Sequence, residues 1–243
     1  ENSKSCVRRG VGVAAGLWMA GGGGPPSTVL VKLFADGSVN LNMGASDIGT
    51  GTKTIMAMVV SEELGIRPKM IQIENADTGT TQYATGSGGS KTVPTEAPAV
   101  RAAAVEARRQ LFEMAALELK TDPSSLALTG GEISTKKEPS KKIKITELPG
   151  LKRAGVIVGV GYRGPNPQNK VVNPFAAQFC EVEVNMKTGE VKILRFLAAQ
   201  DSGRVMNRLT YDSQVIGGVT MGIGLAMTEA RILDRNRTGK LVK

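Results

Sequence analysis

From Ser27 to Gly44 apolar side chains fall on alternate positions, with Val29, Val31 and Leu33 before Asp36-Gly37 and Val39, Leu41 and Met43 after it. That is the pattern of two strands joined by a tight hairpin. The period then changes: Met56, Val59, Val60 and Leu64 recur at helical spacing, and Gly65 stands where a left-handed residue would end a helix. Between strand and helix lies DIGTGTKT, Asp47 to Thr54, a turn without any bulky aromatic side chain. Lys69 to Asn75 predicts a further strand. A second glycine-rich turn, TGSGGSKT from Thr85 to Thr92, then feeds a long helix with Val100, Ala104, Ala107, Leu111 and Met114 on one stripe. Asp122 to Ser134 and the lysine-rich segment after it read as a short irregular excursion, and Gly155 to Tyr162 as the strand that returns from it.

The last third repeats the first plan. Gln178 to Val184 and Glu190 to Ala199 flank the turn Lys187-Thr188-Gly189, and QDSGRVMN then leads into an apolar, glycine-studded helix. The chain thus predicts a duplicated unit of strand hairpin, polar glycine loop and helix. Helix N-termini carry N–H groups without intrahelical partners, which favour anionic groups, and small side chains there let a ligand approach the backbone closely. Three such loops predict a cleft for a large, polar, negatively charged ligand.

Composition narrows the chemistry. The 243 residues suffice for one large domain or two small ones, and 41% hydrophobic with 22% charged residues is ordinary for a globular protein. Aromatics are only 4%, so packing rests on aliphatic side chains. Cys6 and Cys180 are the only cysteines and are expected to be packed thiols; they provide neither a disulfide framework nor a thiolate metal site. There is no histidine, which removes histidine-based nucleophile systems, zinc sites and the usual general base, so catalysis here calls for a cofactor. The net charge of +9 raises the possibility of a basic nucleic-acid-binding module, with lysines densest in Ser134 to Ile145. That stretch has no stacking aromatics, and a solvated lysine-rich loop and hairpin is the simpler reading.

Several motifs imitate other functions. Arg8-Arg9 before Val11 to Ala20 imitates a twin-arginine signal, but Gly12 and Gly16 break the apolar run, and a glycine-rich strand is expected there. GVGYRG, Gly159 to Gly164, matches a dinucleotide fingerprint, yet Pro165-Asn166-Pro167 follows where a helix should start. GVGVAAG, Gly10 to Gly16, is followed by GGGGPP rather than a continuing helix. TGSGGSKT lacks the register of a nucleoside-triphosphate loop, although Lys91 keeps a nucleotide-phosphate enzyme as a third reading. Gly218 and Gly222 fit either close helix packing or ligand contact. The run Val215 to Met227 is shorter than the roughly 20 residues of a membrane span, so no membrane partner is expected.

DIGTGTKT, GSGGSKT, AQFCEVEVNMKTGEVKILRFLAAQDSGRVMN and SQVIGGVTMGIGLAMTE, in that order and at those intervals, resemble the molybdenum-cofactor-binding large subunit of the xanthine dehydrogenase and aldehyde oxidoreductase family. The similarity runs over essentially the whole chain. It implies an α+β fold of mixed sheets and packed helices, with 1–150 as a first cofactor-binding subdomain and 151–243 as a second. It also implies a molybdenum pyranopterin, with a cytosine dinucleotide form as one option, whose metal is held by the pterin's own sulfurs rather than by protein ligands.

Residue by residue, the resemblance implies that Ile48, Gly49, Thr50 and Gly51 match the family's Gly-Gln-Gly turn, with Thr50 replacing the glutamine that faces the metal's oxo ligand. Gly86, Ser87, Gly88, Gly89, Ser90, Lys91 and Thr92 match the loop around the pterin phosphates. Arg204, Val205, Met206 and Asn207 match the later loop, and Gln214 the glutamine that hydrogen-bonds the pterin. Arg208 stands where relatives often carry proline, and is expected to add a phosphate contact or to reach solvent. The family's general-base glutamate, in a Gly-Glu-Pro context, has no counterpart here, so no catalytic side chain is assigned. The chain is expected to be an inactive piece of an enzyme oxidising aldehydes or N-heterocycles with water-derived oxygen. Iron-sulfur and FAD domains or subunits would be its electron-accepting partners, in the cytoplasm or, as in some bacterial members, the periplasm.

Overall fold

The computed structural model describes residues 6–20, 26–170 and 172–242. In chain order its elements are β1 (Val7–Leu17), β2 (Ser27–Phe34), β3 (Val39–Met43), α1 (Thr52–Leu64), β4 (Ile71–Asn75), α2 (Thr92–Leu119), β5 (Leu126–Thr129), β6 (Glu132–Thr135), β7 (Lys142–Lys144), α3 (Pro149–Ala154), β8 (Val156–Arg163), β9 (Phe175–Asn185), β10 (Val191–Asp201) and α4 (Arg208–Met227). Short 3-10 turns precede β4, β5 and α3. This is a mixed α and β architecture with several sheets and packed helices. GGGGPP falls largely outside the described residues.

The chain divides into two compact units, Met19–Asn173 and the combination of Glu1–Trp18 with Pro174–Lys243. In the larger unit a sheet of order β4-β3-β2-β8 carries α1 and α2. Strands β2 and β3 form the antiparallel hairpin expected at Asp36-Gly37, where Gly37 takes φ 82°. Strands β3 and β4 run parallel, with α1 as the crossover between them. The core side of β2 and β3 presents Val29, Val31, Leu33, Val39, Leu41 and Met43, all essentially inaccessible. Each such side chain contributes on the order of 1.5–3 kcal/mol by leaving water. The small sheet β5-β6-β7 closes the same core with Leu126, Ile133 and, just past β7, Ile145. The lysine-rich excursion is thus a three-stranded sheet with an apolar side rather than an irregular loop.

The fingerprint-like GVGYRG lies on β8, and its glycines serve packing. A Cβ on Gly159 would sit 2.1 Å from the Ala103 carbonyl oxygen, and one on Gly161 only 1.9 Å from that of Ala99. The missing side chains let α2 lie directly on the strand. Pro98 removes one hydrogen bond inside α2, leaving the Pro94 carbonyl without its helical donor; Arg163 Nε donates to it instead at 3.2 Å.

In the other unit β9 and β10 form a long antiparallel hairpin, and β1 pairs with β9 from Val7↔Asn185 to Leu17↔Phe175. Its turn is built by Asn185, whose Oδ1 accepts from Lys187 N and Thr188 N, while Gly189 takes φ 76°. Helix α4 follows, and none of its residues is buried. Cys6 and Cys180 are both half-buried and form no disulfide. The units differ from the division expected at residue 150. Strand β8 belongs with the first unit because it pairs with β2 along Ser27↔Arg163 to Phe34↔Val156, and β1 belongs with the second.

Candidate functional site

The first glycine loop leaves β3 at Gly44, where a Cβ would sit 2.1 Å from the Gln82 carbonyl oxygen, so the chain before the second loop lies directly on it. Asn75 Nδ2 donates to Ala45 O at 3.0 Å, and Ser87 Oγ donates to Ser46 O at 2.9 Å with its oxygen 3.1 Å from Ser46 Oγ. These bonds join two turns 41 residues apart. The sequence-predicted groups Ile48–Gly51 and Gly86–Thr92 are thereby brought together within one unit. Gly49 and Gly51 take φ 97° and 87°, Gly89 and Ser90 take 61° and 56°. A Cβ on Gly49, Gly86, Gly88 or Gly89 would meet nothing within 4 Å, so these loops face open space.

The two helix starts differ electrostatically. At α1 the Asp47 carboxylate accepts from Gly49 N at 2.9 Å, Gly51 N at 3.3 Å and Lys53 N at 3.1 Å. Burial alone would raise its pKa, but those three N–H groups and the Lys53 charge together hold it below the usual carboxylate range. At α2, Lys91 is the N-cap without a side-chain cap, and the first turn has no acidic residue. Thr95, only 1% exposed in the next turn, has an Oγ1 with no hydrogen-bond partner. Glu96 beside it is equally buried, which pushes its pKa up, while a 2.7 Å bond from Ser27 Oγ partly opposes the rise.

Arg204, Val205, Met206, Asn207 and Gln214 belong to the other unit. Asn207 caps α4 by accepting from Thr210 N at 3.3 Å, Arg208 is paired with Asp212 at 2.7 Å, and Gln214 is exposed. The three helix starts that follow the glycine loops therefore differ: Asp47 accepts from Lys53 N at the start of α1, Asn207 caps α4, and the N-cap residue of α2, Lys91, makes no side-chain cap. Nor do Gly218 and Gly222 serve close packing among the described residues, since a Cβ on either meets nothing within 4 Å. Asp47 and Thr95 were missed by sequence reasoning. The first had a signal, an Asp two residues before a glycine, typical of side-chain-closed turns.

Elsewhere in the larger unit a cleft of about 430 Å³ lies between the last turn of α1, α2 and β5. Of its charged groups, Glu63 is paired with Arg101 and Arg108, and Arg109 with Glu106 and Glu113. No cluster of three or more His, Cys, Asp or Glu side chains that could hold a metal occurs among the described residues, and no described helix is long and apolar enough to cross a membrane.

Two joined glycine turns that set hydroxyls and backbone N–H groups against open space suit a polar anionic ligand. The chain belongs to the family described as the molybdopterin cofactor-binding domain, whose model matches residues 1–243. It is 31% identical over 94% of its length to the 6-hydroxypseudooxynicotine dehydrogenase complex subunit gamma of Paenarthrobacter nicotinovorans, covering 30% of that protein. It is 34% identical over 87% of its length to the aldehyde oxidoreductase molybdenum-binding subunit PaoC of Escherichia coli, covering 28%. Among solved structures it superposes on CO dehydrogenase from Oligotropha carboxidovorans with a TM-score of 0.87 at 26% identity, over 98% of this chain and 31% of that one. The chain thus spans about 30% of the length of the curated relatives it matches. These relatives lend no support to a nucleic-acid-binding module, and two lysines of the basic excursion are paired, Lys142 with Glu132 and Lys144 with Glu147.

Proposed function

We propose that the intact protein is a molybdenum hydroxylase that oxidises an aldehyde or N-heterocycle with oxygen derived from water. The observation that carries this reading is the pair of glycine turns joined through Ser46 and Ser87. The residues fit a molybdopterin. The glycine loops face open space, the buried Thr95 Oγ1 lacks a partner, and the absence of a metal-ligand cluster among the described residues suits a group that brings its own sulfur ligands. When bound, that group supplies the two-electron redox chemistry. Ser87, Ser90, Lys91 and Thr92 would hold its phosphate through hydroxyls, charge and the N–H groups at the start of α2. Gly49-Thr50-Gly51 would line the same space, with Thr50 offering a hydroxyl to the bound group. Arg204–Asn207 and Gln214 contribute polar contacts to the pterin. Iron-sulfur and FAD partners accept the electrons, consistent with the complex that the Paenarthrobacter relative's name records. A cytosine dinucleotide form and a cytoplasmic or periplasmic location complete the reading.

Metal and pterin analysis of the intact protein tests it: stoichiometric molybdenum with a released pterin is expected, and Gly88→Val, whose Cβ meets nothing within 4 Å, is expected to lower both without changing the unfolding midpoint. Protein folded and purified from molybdenum-replete cells with neither metal nor pterin would refute it.

A further inference from the structure

Building on that reading, we propose that Asp47 is a positioning residue that occupies the α1 start with an internal carboxylate, closing that side of the site to anions and fixing the Gly49-Thr50-Gly51 turn before any ligand arrives. The carboxylate spans the turn and the helix start, accepting from Gly49 and Gly51 through Oδ1 and from Lys53 through Oδ2. Those are N–H groups that an incoming phosphate would otherwise use. Two glycines with positive φ would leave the turn loose in the absence of such an anchor, because glycine loses the most conformational freedom on ordering. With the anchor, Ile48 and Thr50 are presented on a turn already in its final shape, and Ile48 projects into solvent with 65% of its surface exposed.

The contrast with α2 gives the inference its functional content. That helix has no acidic residue in its first turn and no side-chain cap, and Thr95 Oγ1 is buried there without a partner. One end of the joined turns is therefore receptive to negative charge and the other already carries one. A ligand with an anionic end and an uncharged end can seat in only one direction. Asp47 sets the orientation by repulsion as well as by shape.

Hydrogen exchange of the intact protein in its cofactor-free form, with inorganic pyrophosphate as the probe, tests this. In the wild type, pyrophosphate is expected to slow exchange in residues 85–95 and to leave 47–54 unchanged. In Asp47→Asn, residues 47–54 are expected to exchange faster without the probe and to gain protection with it. That gain is expected to be about twofold to fivefold, the size of a charge interaction at a helix terminus. Asp47→Glu is expected to keep the wild-type pattern. Simple loosening would raise exchange with and without pyrophosphate alike, so the gained protection is specific to freed N–H groups. Protection of 47–54 in the wild type equal to that of 85–95 overturns the proposal, and this needs no variant to fold. No gain in a folded Asp47→Asn protein overturns it too. Failure of the functional reading registers separately, as intact wild-type protein without molybdenum.

Discussion

Gly161→Ala puts one methyl group where the backbone of α2 already lies. The added Cβ would stand 1.9 Å from the Ala99 oxygen, 2.4 Å from Ala103 N and 2.8 Å from Ala103 Cβ, whereas ordinary contact begins at 3.4 Å. Two of the three obstacles are backbone atoms, so no rotamer change relieves them. Strand and helix must separate by about 1.5 Å at this point, and a gap of half that size already forfeits a quarter to a half of the dispersion attraction between facing atoms. The contact surface involved includes Ala99, Ala103, Ala107 and Ile157, all essentially without solvent exposure. The expected cost is about 3 kcal/mol or more, at the top of the range for overpacking. For a unit of this size that corresponds to a fall in Tm of roughly 6–12 °C. Urea unfolding of the intact protein, read by hydrogen exchange over residues 95–111, reports on this unit rather than on the whole chain. Gly12→Ala is the control: its Cβ meets nothing within 4 Å, so a change within about 0.5 kcal/mol is expected. A loss below about 1 kcal/mol for Gly161→Ala, or an equal loss in the control, would refute the claim that these glycines exist to seat α2.

Two further outcomes are expected. Burial raises the Glu96 pKa in the folded protein, so the fold binds more protons than the unfolded chain; its stability contribution is full below the ordinary glutamate value of 4.5 and is lost as pH rises through the folded value. Glu96→Gln should therefore gain on the wild type as pH rises from that point and then level off, which urea midpoints across a pH series will show; a constant difference would contradict the assignment. Ser87→Ala removes the bond to Ser46 O and the contact with Ser46 Oγ, at about 0.5–1.5 kcal/mol. Exchange should quicken in 85–91, and molybdenum content should fall more than with Ser46→Ala, which leaves a carbonyl acceptor in place.

Much of the local structure was legible. The Asp36-Gly37 hairpin, the start of α1 after Gly51 and its end at Gly65, and the Val100 to Leu111 stripe follow from alternation, helical period and glycine placement. What the pattern did not carry was partnership. Strand β1, VRRGVGVAAGL, alternates too weakly to show which strand it joins, and β8 gives no sign that β2 rather than β9 is its neighbour. GVGYRG misleads for a physical reason, since a strand that must let a helix backbone approach and one that must let a phosphate approach both need glycine in place of Cβ. The turns of the candidate site were visible because φ values above zero call for glycine. The Asp47 and Ser46–Ser87 bonds were harder to see because their acceptors and donors are mostly backbone atoms, which any sequence supplies.

The pairing of β1 with β9 has a consequence for biosynthesis. Arg9 meets Glu183 174 positions further along the chain, so β1 leaves the ribosome well before its partner strand and waits while the whole of Met19–Asn173 is made between them. During that interval β1 is a glycine-rich ribbon with unsatisfied edges, and the inserted unit can already have folded. Assembly of this sheet is thereby ordered in time, with β1 made before β9 and β10 yet docking only once they exist.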